Sequence, residues 1–507
     1  MRYVRADPAA HGCELLAVGV TRGTESVPAW LASLDGALGG ALARALASGD
    51  VRGRKSDEVV LYGAAPGPAR VLLLGVGEAE KVTRETVRRM AARAVRAAER
   101  LRLKGVAVVV DGLEGLADDA RAQAAAEGAA LAAWRFRELK TSGGASDTEP
   151  DAEPDDAEKE APEVTEVDVL GSGDAATLES GTMTGAILAR AENFARTLQA
   201  RPGNVATPTH LAEEAVRVAG ALNMRATVWD EARMREEGMH AILAVSRGSE
   251  EEARFIVLEH RGGEEGERPL VLVGKGLSFD AGGISLKVPE GMESMKFDMS
   301  GGAAVIAAMQ AIAELGVRAN VVGVVPSSEN LPSGTALKPG DVIRTLGGKT
   351  VEVINTDAEG RLILADALAY AARLDPAAIV DCATLTGAAV IALGHHASAV
   401  LGNDDALVEE VIAAGEISGE RCWRLPLWHE YRKQLESTTA DLKNTGGRAG
   451  STITAASFLS AFVGDAPWAH LDVAATAYGD GDLPYQRKGG YGVPTRLLVE
   501  WVRRRAH

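Results

Sequence analysis

From residue 207 onward the chain alternates short, uninterrupted aliphatic runs with longer helical patterns, and this rhythm constrains the fold more than any other feature. The runs ATVWD, ARFIVLEH, PLVLVGKG, ANVVGVVPSSEN, VEVINTD, AAIVDCATL and AHLDVAATA are separated by stretches such as SGGAAVIAAMQAIAELG and LILADALAYAARL. A strand that is apolar on both faces belongs in a sheet covered on both sides, and an intervening helix is the crossover that keeps such strands parallel. In sheets of that kind ligands collect at the carboxyl ends of the strands.

The first 180 residues repeat the alternation on a smaller scale. CELLAVGV, EVVLYGAA, RVLLLGVG and GVAVVVDG read as strands, and Arg84 to Leu103 reads as the clearest helix, its arginines forming a solvated face with intrahelical ion-pair partners. The expected fold class is α/β with two domains, each a mixed or mostly parallel sheet flanked by helices, the C-terminal domain being the larger. The expected boundaries are 1–180, a linking helix at 181–206, and 207–507. Within the first domain, 141–163 is so rich in acids, Pro, Gly and Ser that it is expected to be a disordered loop.

Of the 507 residues 46% are apolar, ample for large buried cores, and the formal charge is −17. Residues Asp147 to Asp168 carry eleven acids and one lysine, so −10 of that charge is local. The acidic balance argues against nucleic acid as a partner, because phosphate binding draws on basic patches. The N-terminus has no apolar leader, and no membrane span is expected but a cytoplasmic location is. Cys13, Cys382 and Cys422 are too far apart for a disulfide framework or a zinc site and read as buried thiols.

Two turns carry the chemistry. NTDAEGR, Asn355 to Arg361, follows one strand, and Gly274 to Gly302 follows another, holding Lys275, Asp280, Lys287 and Asp298 among seven glycines. The glycine pattern fits neither a phosphate loop nor a dinucleotide fingerprint. Four carboxylates on two turns, Asp280, Asp298, Asp357 and Glu359, can neutralise two divalent cations about 3.5–4 Å apart, which would activate water and polarise a carbonyl. Neither a GxSxG elbow nor an HExxH helix is present. Lys287 and Arg361 are candidates to stabilise a developing oxyanion, and Arg361 has the planar fork to hold a carboxylate or bicarbonate. His395 and His396 read as a partly exposed loop pair.

NTDAEGRL, together with GKGLSFDAGGISLK and the acid of MKFDMSGG, resembles the signature of the leucyl aminopeptidase family, also called cytosol aminopeptidases. The similarity extends over most of residues 190–475, including DCATLTGA at Asp381–Ala388 and HLDVA at His470–Ala474. The resemblance implies a larger, catalytic C-terminal domain and a dinuclear metalloaminopeptidase that releases N-terminal residues, leucine-type ones above all, from peptides with a free N-terminus. It places metal ligands at Lys275, Asp280, Asp298, Asp357 and Glu359, catalytic roles at Lys287 and at Arg361 with its bicarbonate, and a pocket for the first side chain near Met295 and Thr384. It also implies a homohexamer. The oxygen-rich ligands fit manganese best, with zinc or magnesium as alternatives. Ser451 and Tyr491 depart from the family's usual residues and bear on the pocket lining. Two other readings are a DNA-binding or assembly protein and a two-metal phosphoesterase.

Overall fold

The computed structural model of the chain describes residues 1–113, 115–140 and 162–506, so the stretch 141–163 lies, apart from Pro162 and Glu163, outside the described residues. The chain divides into two compact units: Met1–Arg190 with Gly481–Arg487, and Ala191–Asp480 with Lys488–His507.

The first unit is built on six strands: β1 (Arg2–Val4), β2 (Leu16–Thr21), β3 (Glu58–Tyr62), β4 (Arg70–Gly77), β5 (Gly105–Val109) and β6 (Glu166–Leu170), in the order β1-β6-β5-β2-β4-β3. All neighbours are parallel except β3 and β4. The reason β4 reads as one apolar run is visible in its packing. Leu72 and Leu74 enter the buried cluster formed with Val87, Met90 and Val95, whereas Val71 and Leu73 enter the opposite one with Leu34 and Leu42. Both faces are covered along Val71–Leu74, so those positions are all apolar.

The helix Arg84–Arg100 begins with a Thr83–Thr86 capping box and corrects part of the expectation for its arginines. Arg89 is exposed and pairs with Glu85 at 2.6 Å, as a solvated face requires. Arg88 instead is fully buried, 2.7 Å from Glu127 of the helix Asp118–Ala133 and 2.6 Å from Glu85. The two helices approach so closely that a Cβ at Gly128 would stand 2.0 Å from the Arg88 carbonyl, which leaves no solvent for that side chain.

The second unit carries β7 (Arg225–Trp229), β8 (Arg254–Arg261), β9 (Leu270–Gly274), β10 (Gly276–Asp280), β11 (Asn320–Asn330), β12 (Val342–Arg344), β13 (Thr350–Glu352), β14 (Ala378–Ala383), β15 (Ser398–Gly402), β16 (Cys422–Arg424), β17 (Leu442–Lys443), β18 (Trp468–Asp472), β19 (Tyr478–Gly479) and β20 (Gly489–Gly490). Nine of them form one mixed sheet in the order β16-β15-β18-β14-β9-β11-β8-β7, with β10 added beside β11. Its centre, β18-β14-β9-β11, is parallel, and β8 and β15 run against it. The helix Gly360–Ala372 buries Ile363, Leu364 and Leu368 in the same cluster as Val271 and Val273 of β9.

One expectation fails here. The strand before NTDAEGR does not join the main sheet but pairs with β12 and β17 in a separate three-stranded sheet. Val351 and Val353 are buried while Glu352 between them is not, a period of two that suits a sheet with one open face.

Candidate functional site

Four strands of the main sheet deliver residues to one edge by ending there: β9 before Lys275, β10 at Asp280, β14 before Thr384, and β18 at Asp472. NTDAEGR arrives from the small sheet and runs into the helix Gly360–Ala372. Glu359 already has helical backbone angles, φ −79° and ψ −36°, so its carboxylate and that of Asp357 converge through a turn and not from an extended stretch. Within that turn Asp357 N–H donates to Asn355 Oδ1 at 2.9 Å.

The two chemical turns are stapled to each other. Thr356 Oγ1 donates to Gly282 O at 2.7 Å and accepts from Ser285 N–H at 2.8 Å. Asn330 Nδ2 donates both to Asp280 Oδ1 at 2.8 Å and to Thr356 O at 3.0 Å. Gly282 has φ +87°, and a Cβ there would stand 2.6 Å from Ser285 O, so this corner admits no side chain. Asn444 clamps the other end: its Oδ1 accepts from Ile354 N–H at 2.8 Å, its Nδ2 donates to Asn355 O at 2.7 Å, and its carbonyl accepts from Arg361 Nη1 at 2.8 Å. Asn330 and Asn444 are absent from the expectations above, because a lone asparagine far away in sequence gives no signal of the turn it binds.

As a result, carboxylate oxygens of Asp280, Asp357 and Glu359 lie within 4.8 Å of one another. Lys275 Nζ is 2.6 Å from Asp298 and 2.9 Å from Glu359, and it donates to Thr384 O at 3.0 Å. Lys287 Nζ is 2.7 Å from Asp280 and also pairs with Asp357. Burial pushes the Glu359 carboxyl up to about 8, Asp280 adds to this, and Lys275 opposes it. Burial likewise raises Asp298 and Asp357. It would lower both lysines, but the surrounding carboxylates outweigh it and hold each ammonium above its ordinary value. Arg361 is pulled down to about 10 by burial.

A metal fits this donor set. Glu359 Oε2 is buried with no hydrogen bond to satisfy it, while its other oxygen takes the Lys275 contact. Leaving such an acceptor unmet costs about 1–3 kcal/mol or more, which a cation would remove. Oxygen donors suit manganese or magnesium, and an amine such as Lys275 admits zinc or manganese.

These groups line a cavity of about 420 Å³. Lys275, Asp280, Lys287, Met295, Asp298, Asp357, Glu359, Arg361 and Thr384 all contribute to it. Arg361 also keeps a buried Nε without a partner. Ser451 lines the cavity, but Tyr491 is not among its lining residues. Tyr478, which sequence reasoning passed over, contributes a wall through its ring, stacked on Phe297 at 4.7 Å. His395 hydrogen-bonds the Ala475 carbonyl at 2.9 Å.

Comparison with known proteins covers both units of the chain. The chain matches the cytosol aminopeptidase family, catalytic domain, over residues 193–499, and the N-terminal domain of that family over 17–143. It is 44% identical over 500 residues to a probable cytosol aminopeptidase of Geobacter sulfurreducens, with 98% of each chain covered. A protein of the same description from Syntrophotalea carbinolica is 45% identical over 495 residues, with 96% of each covered. Among solved structures, a tomato leucine aminopeptidase mutant superposes with a TM-score of 0.86 at 32% identity, covering 99% of this chain and 96% of its own. The bottromycin maturation enzyme BotP in complex with Mn gives 0.83 at 35% identity, covering 97% of this chain and 100% of its own.

Proposed function

The chain belongs to the cytosol aminopeptidase family, metal-dependent aminopeptidases, and from that premise we propose that it uses two divalent ions to release N-terminal residues of the leucine type from peptides. Lys275, Asp280, Asp298, Asp357 and Glu359 would hold the ions, with manganese the expected metal; the Mn complex of BotP supports this choice. Bound cations supply the charge that polarises the scissile carbonyl and acidifies water.

The remaining steps belong to the chain's own residues. Lys287, kept protonated by Asp280 and Asp357, reaches the cavity and donates to the carbonyl oxygen as negative charge grows there. Such a donor contributes about 3–4 kcal/mol to the transition state. Arg361, with its unpartnered Nε, would hold a bicarbonate, which would supply a general base there. Asp298 offers a carboxylate for the free amine of the substrate, which confines cleavage to chain ends. Met295 and Thr384 border the space for the first side chain. A homohexamer in the cytoplasm is part of the same proposal. No helix among the described residues is long and apolar enough to cross a membrane.

The buried, unsatisfied Glu359 oxygen inside the acid cluster carries this reading. Its test is hydrolysis of leucyl p-nitroanilide with manganese, with chelator, and in Asp357→Asn. Activity that survives exhaustive chelation, or an Asp357→Asn enzyme as fast as the native one, would count against it. A phosphodiester run beside the amide distinguishes phosphoesterase chemistry.

A further inference from the structure

Asp472 is the last residue of β18, fully buried, and stands beside Ala383, the last residue of β14. Where β14 stops, Thr384 to Gly387 leave the ladder and line the cavity. Their backbone amides have lost the sheet as a partner, and buried amides need another. Asp472 supplies it. Its Oδ1 accepts from Leu385 N–H at 3.2 Å, Thr386 N–H at 3.4 Å and Ala474 N–H at 3.2 Å. Its Oδ2 accepts from Thr386 Oγ1 at 2.6 Å, and that hydroxyl also meets Thr452 Oγ1 at 2.7 Å. One carboxylate therefore fixes Thr384–Thr386, which have no regular structure of their own before the helix Gly387–Leu393 begins.

The other side of that turn touches the acid cluster. Thr384 O accepts from Lys275 Nζ at 3.0 Å, and Thr384 Oγ1 donates to Asp298 Oδ1 at 2.7 Å. We propose that Asp472 is a positioning residue for the reaction, holding Thr384–Gly387 so that one edge orients Lys275 and Asp298 and the other forms the wall beside the substrate's first residue. The inference rests on the reading of this cavity as the aminopeptidase site.

The test uses the full-length manganese enzyme and the variants Asp472→Asn, Asp472→Ala and Thr386→Val. Asparagine keeps the shape and one acceptor oxygen, alanine removes every contact, and valine removes only the hydroxyl. Misplacing a site by about 1 Å costs on the order of 100-fold, so Asp472→Ala is expected to lose that much in kcat/KM. Asp472→Asn and Thr386→Val should each lose about three- to tenfold, the span a neutral hydrogen bond commands. KM should rise and the ratio of leucyl to alanyl p-nitroanilide turnover should shift, because a displaced wall changes discrimination. A purely structural role would lower kcat in step with the folded fraction and leave KM and that ratio unchanged, and this result overturns the proposal. If the alanine protein does not fold, the asparagine and valine variants decide by the same criterion. A native enzyme without metal-dependent activity sinks the aminopeptidase reading, whereas an active native enzyme whose variants match it sinks only the role of Asp472.

Discussion

At Asp298 and Glu359 the Lys275 ammonium occupies oxygens that the proposed metal would use. Lys275 Nζ sits between these two carboxylates, and burial raises the Glu359 carboxyl to about 8. Below that pH a proton must leave Glu359 before a metal can use it, and Lys275 must give up its own proton to act as a ligand. Metal binding should therefore release protons and tighten as pH rises from 6 to 8. Calorimetric titration with manganese in two buffers of different ionisation enthalpy measures this, and equal heats in both would contradict it. Lys287 differs, because the task proposed for it needs the proton kept. Lys287→Ala should lower kcat by about 100- to 1,000-fold while manganese content stays that of the native protein. These residues could be singled out because they fall in two short runs, 274–302 and 355–361, whose motifs resemble the family's. Asn330 and Asn444 could not, since their partners lie 50 and 90 residues away and the code for a turn clamp is a single amide.

The strands β14 and β18 were read as apolar elements, and their positions hold, but a polar row runs through them. Asp381 Oδ2 accepts from Trp468 Nε1 at 2.6 Å and Oδ1 stands 2.6 Å from His470 Nδ1, with Asp381 and His470 fully buried. Hydropathy over a window averages such a pair away. Burial would lower the His470 pKa, but Asp381 outweighs it and the net shift is upward. A raised folded pKa means the protonated form is favoured by folding, so this stabilisation is complete below the ordinary histidine value and is lost as pH rises through the elevated one. Urea unfolding at pH 6, 7, 8 and 9 should show His470→Asn costing most at pH 6 and progressively less toward pH 9; a constant cost would refute the assignment. In the first unit the same kind of blindness hid Arg88, an arginine at helical spacing that pairs with Glu127 out of solvent. Removing Glu127 takes from the buried Arg88 one carboxylate and leaves it Glu85, so Glu127→Ala should destabilise by about 1.5–3 kcal/mol, the range of a hydrogen bond to a charged group, read as a shift in the urea midpoint.

At the level of the whole chain, composition marked two regions but could not show that the chain returns to the first one. Residues Gly481–Arg487 belong to the first unit although they lie close to the C-terminus. Arg96 donates from Nε to Pro484 O at 2.9 Å and from Nη2 to Gln486 O at 2.8 Å, and Tyr485 Oη donates to Glu85 at 3.0 Å. Tyr485 is 3% exposed inside the first unit's core cluster. Nothing periodic distinguishes LPYQR as a core segment of a unit whose other residues ended some 290 positions earlier, because seven residues are too few to show a period. The consequence is that neither unit is a contiguous piece of sequence. A fragment comprising 191–507 would expose Tyr485 and leave 481–487 without its partners, while the signature residues it contains remain intact. Such a fragment should be more readily cleaved by protease within 481–487 and unfold at a lower temperature than the full chain, as limited proteolysis and calorimetry would read. Protection of that segment equal to the full chain's would show instead that the catalytic unit holds it unaided.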